Sequence, residues 1–155
     1  SAGAGGASSS NLLDEYEEGT WTLVLEDSSG NDCGLASETG HYTKVGNLVY
    51  LIFGVTVNSK SGVGNALQIT GIPFDIVDVT NGSGEPSSGF ITYANNMVSK
   101  DLNGLVMVRA NNGSAILELK YTTAGATTGI ANNHLNAADI DSDLYMTGHV
   151  WYTAP

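Results

Sequence analysis

The most informative pattern along the chain is a nearly unbroken apolar run that follows a turn signal. Gly46-Asn47 adopts positive φ at low cost, which two-residue hairpin turns require, and the residues after it, 48–57, are almost all apolar. Alternation puts Val49, Leu51, Phe53, Val55 and Val57 on one face of a strand and Leu48, Tyr50, Ile52, Gly54 and Thr56 on the other. Because a strand with one side in water alternates apolar and polar residues, we expect this strand to be covered on both sides.

Short apolar segments between turn signals recur along the rest of the chain. They predict about eight strands, at residues 20–25, 40–45, 48–57, 65–71, 90–94, 105–109, 115–121 and 144–153. Alternation in the seventh places Leu117, Leu119 and Tyr121 in the core and Glu118 and Lys120 in water. Residues 27–39 are predicted to form a loop, and 137–143 have room for one helical turn. The pattern predicts an all-β fold, an antiparallel β-sandwich of the jelly-roll type.

Composition and charge narrow the class of partner. The chain has 155 residues and a net charge of −11, and only 14% of its residues are charged. An acidic chain repels phosphate backbones, so nucleic acid is excluded as a partner, and without a basic amphipathic helix or a long apolar run neither membrane binding nor insertion is expected. The small residues at 1–12 are interpreted as a linker from an upstream region, and 13–155 as a single domain.

Four segments resemble a known family. Residues 12–22 (Leu-Leu-Asp-Glu-Tyr-Glu-Glu-Gly-Thr-Trp-Thr) are similar to a signature of bacteriophage tail-fibre and tailspike C-terminal domains. Residues 40–49 (Gly-His-Tyr-Thr-Lys-Val-Gly-Asn-Leu-Val) resemble the hairpin of the same domains. Residues 69–74 and 144–153 resemble two further elements, in the expected order. The chain departs from the family pattern at Leu23, where Pro is usual, and at Glu15, where Asp is usual.

The resemblance implies a homotrimeric fibre tip, located on the virion, that contacts the host cell surface. It also implies an upstream fibre region joined through the linker at residues 1–12. It offers one explanation for the apolar strand, in which the second face of residues 48–57 lies against a neighbouring subunit. The monomeric alternative is that loops of the same chain cover that face.

Side chains that could carry chemistry are few and scattered. Asp14, Glu15, Glu17 and Glu18 belong to the resembling signature and are interpreted as a lead-in rather than an acid/base pair. Asp139, Asp141 and Asp143 alternate as in calcium loops, but the glycine and distal glutamate of such loops are missing, so they are weak metal candidates. His41, His134 and His149 lack zinc-site spacing, and the single Cys33 has no partner for a disulfide. No catalytic residue and no cofactor are therefore expected.

Aromatic and amide side chains are the candidate ligand contacts. Sugars stack on aromatic rings while amides hold their hydroxyls, so paired amides in loops and an aromatic beside them favour glycan binding. The candidates are Tyr93, Asn95, Asn96, Asn111, Asn112, Asn132, Asn133 and His134. The host receptor is thus expected to be a surface glycan or protein. Two other functions fit the same sequence: a glycan-degrading tip enzyme (a depolymerase or esterase), and a purely structural trimerisation domain of a fibre.

Overall fold

A computed structural model describes residues 15–78, 87–98, 106–110, 114–121 and 133–155. In these ranges the chain forms nine strands and a 3-10 turn at Ala137–Asp139. The strands are β1 (Tyr16–Thr20), β2 (Val24–Asp27), β3 (Gly34–Val45), β4 (Leu48–Ser59), β5 (Leu67–Thr70), β6 (Ser88–Met97), β7 (Val106–Ala110), β8 (Leu117–Tyr121) and β9 (Ile140–Thr153). The linker predicted at residues 1–12 lies outside the described residues. No helix in the described part of the chain has the length and apolar character needed to cross a bilayer.

The hairpin predicted around Gly46-Asn47 is the longest strand pair of the fold. Gly46 has a φ of +55°, and the strands β3 and β4 pair from Val45 opposite Leu48 back to Gly34 opposite Ser59. The loop predicted at 27–39 is wrong from Gly34 onward. Its polar residues form the first half of β3, because the distal half of β4 supplies hydrogen-bond partners for them. A bulge at Leu35–Ser37 absorbs the resulting shift in register.

All nine strands join in one antiparallel hydrogen-bonded order, β1-β3-β4-β9-β6-β7-β8-β5-β2. The single strand predicted at 20–25 is in fact the end of β1 and the start of β2, which lie at opposite ends of this order. The intervening residues Trp21–Leu23 carry the chain across, and the Trp21 amide donates to the Gly40 carbonyl at 3.0 Å. The hydrogen-bonded sheet therefore folds over on itself and forms two antiparallel layers, which is a β-sandwich. We call β1, β3, β4, β9 and β6 the front layer.

The core lies between the two layers and takes alternate residues from both. In β4 the inward residues are at most 2% exposed: Val49, Leu51, Phe53, Val55 and Val57. Leu144, Met146, Val150 and Tyr152 of β9 join the same cluster. Leu67, Ile69, Leu117 and Leu119 come from the other layer, as the alternation predicts. Burying each such side chain contributes about 2 kcal/mol relative to leaving it in water.

Lys120 contradicts the alternation predicted for β8. It was expected in water, but it is only 2% exposed. The segment before β9 runs alongside this strand and is hydrogen-bonded to it, and its His134 lies against the Lys120 ammonium group. Glu118 balances the charge, with its Oε2 atom 3.2 Å from Lys120 Nζ. A residue distant in sequence thus covers a position that local alternation assigns to solvent.

Candidate functional site

The outward side of the front layer is a broad apolar surface that the described chain leaves uncovered. We call it the outer face, formed by the outward residues of β3, β4, β9 and β6. Its large apolar side chains are 37–56% exposed: Val45, Leu48, Tyr50, Ile52, Tyr93, Tyr145 and Trp151. One side of β4 is therefore covered, as expected, and the described residues leave the other side open. The alternative in which loops of the same chain cover this face stays open, because residues 1–14, 79–86, 99–105, 111–113 and 122–132 lie outside the described ranges.

A shallow groove of about 530 Å³ crosses the middle of the outer face. Antiparallel pairing places His41, Ile52 and His149 side by side on three neighbouring strands. Gly54 is the next residue along β4 on the same face. Because it has no side chain, the space above it forms part of the groove. The other outward side chains of the groove carry hydroxyl groups: Ser37, Thr39, Tyr50, Thr92, Tyr145 and Thr147.

The groove carries no formal charge other than what its histidines acquire. Among the described residues, no Asp, Glu, Lys or Arg lines it, although the whole chain has a net charge of −11. His149 is flanked by two aromatic rings, with its ring centroid 5.8 Å from that of Tyr50 and 6.0 Å from that of Phe90. His41 lies at the β1 side of the groove, where it is paired with Thr20 and shares a neighbouring depression with Glu18. Such a surface favours apolar contact, ring stacking and hydroxyl hydrogen bonds.

One end of the outer face brings together aromatic rings and amides. We call Tyr93, Asn95, Asn96 and Tyr145 the aromatic margin. The ring centroids of Tyr93 and Tyr145 lie 5.7 Å apart with an angle of 55° between the ring planes, and Asn95 is paired with Tyr145 across β6 and β9. Asn96 has a φ of +64°. Its side-chain Nδ2 donates to the Asp143 carbonyl at 3.1 Å, and its backbone amide donates to Asn95 Oδ1.

The aromatic margin unites three of the sequence-predicted ligand residues and adds a fourth. Tyr93, Asn95 and Asn96 were candidates from the sequence, whereas Tyr145 was not. The register between β6 and β9, which sets Tyr145 beside Tyr93, has no local signal in the sequence. The same holds for His41 and His149, which the sequence shows only as isolated histidines.

The remaining ligand candidates lie elsewhere or outside the described residues. His134 Nε2 is 2.6 Å from Lys120 Nζ, and desolvation together with that ammonium group lowers the pKa of His134. The carbonyl of Asn133 accepts from the Tyr121 amide at 3.1 Å. Both residues thus hold the segment before β9 against β8, apart from the aromatic margin. Asn111, Asn112 and Asn132 lie outside the described residues.

The acidic candidates are engaged in local hydrogen bonds. Asp139 Oδ2 accepts from the Asn136 amide at 2.8 Å, and Asp141 Oδ1 accepts from the Ser142 amide at 2.8 Å. The described ranges, to which Asp143 belongs, contain no group of three or more His, Cys, Asp or Glu side chains that could hold a metal ion. In the lead-in, Glu17 and Glu18 accept from the hydroxyls of Tyr42 and Tyr16 and raise the pKa values of those phenols.

The single thiol is buried and unreactive. Cys33 is 5% exposed, and burial raises its pKa to about 11. A thiol with so high a pKa stays protonated at neutral pH and is a poor nucleophile.

Comparison with known proteins identifies the fold. No protein-family model and no curated protein sequence matches the chain. Among solved structures, the chain is similar to the Dettilon tailspike protein (gp208), with a TM-score of 0.63 and 21% identity. The match covers 90% of this chain and 24% of that protein, so the chain spans about a quarter of its length. The chain therefore shares its all-β fold with one part of a tailspike protein.

Proposed function

We propose that this chain is the receptor-binding tip domain of a bacteriophage tail fibre or tailspike, located on the virion. In this proposal it has the jelly-roll form of the sandwich, assembles as a homotrimer and binds a host surface glycan during adsorption. Two independent lines support it: the four sequence segments that resemble tail-fibre domains, and the fold shared with part of a tailspike protein. The chain needs no cofactor for this role and catalyses no reaction.

The uncovered outer face is the observation that carries the proposal. Ile52, in the middle part of β4, and Leu48, next to the turn of the longest hairpin, are each 49% exposed. Water contact at such side chains costs about 25 cal/mol per Å² of apolar area, which burial against another chain removes. Contiguous apolar patches of this kind mark interaction surfaces. Three copies arranged around a fibre axis provide such cover for Leu48, Tyr50, Ile52 and Trp151, while the aromatic margin at the end of the face stays open to a ligand.

The aromatic margin supplies the chemistry of a glycan contact. Tyr93 is 56% exposed and Tyr145 is 42% exposed, so both rings are available to the C–H faces of a sugar. Asn95 and Asn96 lie beside them, and side-chain amides are groups that can hydrogen-bond the hydroxyls of a sugar. Readout by rings and amides suits an acidic chain, since it requires no anionic ligand group. Three such sites on one fibre raise a weak site affinity by avidity.

Glycan binding is tested with the full chain on an array of bacterial surface glycans. The double variant Tyr93→Ala/Tyr145→Ala removes both rings, and we expect it to bind about five- to 150-fold more weakly, because each ring contributes roughly 0.5–1.5 kcal/mol. The matched control is Tyr16→Ala, which removes an exposed tyrosine on β1 (54% exposed) and is expected to bind normally. Light scattering on the same samples shows whether assembly is retained.

The outcomes separate the three functions that the sequence leaves open. Equal glycan binding by the double variant and the wild type contradicts the aromatic margin as the site. Assembly without binding to any glycan or host cell favours the structural trimerisation role. Release of reducing sugar from a bound polysaccharide favours the depolymerase.

A further inference from the structure

Two adjacent rows of side chains cross the outer face at the end that carries the aromatic margin. We propose that these rows form one extended site for an uncharged oligosaccharide, whose chain runs from the rings of the margin across hydroxyl groups on β9, β4 and β3. The inference rests on the glycan binding in the proposed function. It adds the length and the charge class of the ligand, and it names residues that select for them.

The register of the front layer sets the two rows. Each row takes one residue from each of the strands β3, β4, β9 and β6, and its members are paired with their neighbours across the sheet. The first row is Thr39, Gly54, Thr147 and Tyr93, and the second is Ser37, Thr56, Tyr145 and Asn95. Three of these residues belong to the aromatic margin. We call the other five, Ser37, Thr39, Gly54, Thr56 and Thr147, the hydroxyl strip.

The rows are long enough for several linked sugars. Neighbouring strands lie about 4.8 Å apart, so a row over four strands spans roughly 14 Å, which is longer than one sugar ring. The aromatic margin and the strip are continuous, because Tyr145 contacts the Tyr93 ring and also lines the groove. A sugar stacked on the margin can therefore continue as a chain over the strip.

The hydroxyl groups of the strip retain hydrogen-bonding capacity. Ser37 Oγ donates to Thr56 Oγ1 at 3.0 Å, and Thr147 Oγ1 lies 3.2 Å from Thr92 Oγ1. A hydroxyl group has one donor hydrogen and two acceptor lone pairs, so each of these pairs keeps lone pairs for a ligand. The Thr56 hydrogen has no partner within the described ranges and can also be donated. Neighbouring hydroxyls of this kind match the neighbouring hydroxyls of a sugar.

The main chain beneath the rows favours a sugar chain over an extended peptide. A peptide that binds a sheet gains affinity from main-chain hydrogen bonds at a free edge. In these rows β4 and β9 are paired on both sides, so their amides and carbonyls are already engaged. A sugar needs no such groups, because its C–H faces stack on rings and its hydroxyls bind side chains.

The charge of the two rows favours an uncharged chain. None of their residues is Asp, Glu, Lys, Arg or His, and no Lys or Arg among the described residues lines the groove. The whole chain has a net charge of −11. A glycan with carboxylate or phosphate groups would therefore meet repulsion with no cation in the site to pair with.

Gly54 gives the strip the depth to hold a sugar ring. A Cβ atom added there would lie 3.1 Å from Thr39 Oγ1 and 3.5 Å from Thr147 Cγ2. A larger side chain would therefore fill the space between the two threonines. We assign Gly54 as a specificity-determining residue, because its missing side chain leaves both hydroxyls within reach of one ligand.

Affinity as a function of glycan length tests the inference. The full chain is applied to bacterial surface glycans arrayed as single sugars, disaccharides and longer chains, in uncharged and acidic forms. We expect the longer uncharged chains to bind at least about tenfold more tightly than the single sugars, since they add hydrogen bonds to the strip. Acidic chains of the same length are expected to bind more weakly than the uncharged ones.

Two variants assign the length dependence to the strip. Gly54→Val fills the space between the threonines, and Thr39→Val/Thr147→Val keeps their shape but removes both hydroxyls. In both variants we expect the affinity for longer uncharged chains to fall to about that for single sugars, while the affinity for single sugars is retained. Thr43→Val is the matched control, because Thr43 is also on β3 but outside the strip. Thermal unfolding shows whether each variant is folded.

The remaining outcomes overturn separate statements. Equal affinity for single sugars and longer chains, lost in Tyr93→Ala/Tyr145→Ala, overturns the extended site but leaves the proposed function intact. Binding to no glycan overturns the proposed function and this inference together. Tighter binding of acidic chains overturns the charge class. Unchanged length dependence in both strip variants overturns the path of the chain, and a changed oligomeric state in both would make the strip a contact between copies instead.

Discussion

Asp27 is the one buried carboxylate in the described part of the chain, and it joins two turns. Its Oδ1 atom accepts from the amides of Ser29 and Asn31 at 2.9 and 3.1 Å. Its Oδ2 atom accepts from the amides of Gly64 and Asn65 at 3.0 and 3.3 Å. These hydrogen bonds hold the pKa of Asp27 well below its usual range, and the bond from the Gly64 amide has the largest effect. The carboxylate therefore fixes the turn after β2 to the segment before β5.

Substitution of Asp27 by asparagine tests this role. Asp27→Asn replaces one acceptor oxygen by a donor that meets other donors, so we expect the melting temperature at neutral pH to fall by several degrees. Because the folded pKa is lowered, the carboxylate stabilises the fold above the ordinary aspartate pKa of about 3.9, and this stability is lost as the pH falls below that value. Thermal unfolding at neutral pH and near pH 3 should then show a smaller acid-induced loss in the variant than in the wild type. Equal losses in both proteins would contradict the assignment.

Packing between elements is close where Trp21 lies against β3. A Cβ atom at Gly40 of β3 would lie 2.6 Å from the Trp21 carbonyl oxygen and 2.7 Å from its indole ring. This close approach lets the segment between β1 and β2 lie against β3. Trp21 is 8% exposed as a result, whereas Trp151 lies on the outer face.

Paired alanine substitutions measure that contact. Gly40→Ala forces the indole or the backbone to move, and we expect a loss of about 1–3 kcal/mol in the free energy of unfolding. Gly64→Ala is the matched control, because a Cβ atom there has nothing within 4 Å. Denaturant unfolding of the two variants gives the comparison. A Gly40→Ala protein as stable as the control would show that the Trp21 segment is loosely held.

The elements differ in how far the sequence determines them. The Gly46-Asn47 hairpin and the inward faces of β4, β5 and β9 follow from local turn chemistry and alternation. The first half of β3 does not, because its polar residues become a strand only when β4 pairs with them. The burial of Lys120 and the contact of Tyr93 with Tyr145 also depend on distant segments. Three of the four residues of the aromatic margin were therefore predictable from residue type, and Tyr145 required the register between β6 and β9.

The molecule as a whole combines a high negative charge with one uncharged apolar face. Ile52→Lys places an ammonium group at the centre of that face, where its side chain is 49% exposed in the single chain. The fold tolerates the change, but covering the face would now bury unpaired charge, so we expect an assembled wild type and a monomeric variant.

Sedimentation or light scattering at neutral pH distinguishes the two states. Ser28→Lys, in the exposed turn after β2, changes the net charge equally and serves as the control. It is expected to assemble like the wild type. An Ile52→Lys protein that still assembles would place the contact between chains on another surface.

The strands at the two ends of the hydrogen-bonded order restrict how copies of this chain can add to one another. β1 has five residues and β2 has four, and both carry carboxylates, Glu17 and Glu18 on β1 and Glu26 on β2. Short acidic edges repel further acidic strands and offer few free amide and carbonyl groups for pairing. Growth of the sheet from chain to chain, as in amyloid, is thereby disfavoured. Separate molecules are therefore kept from pairing edge to edge even though strands make up most of the described residues.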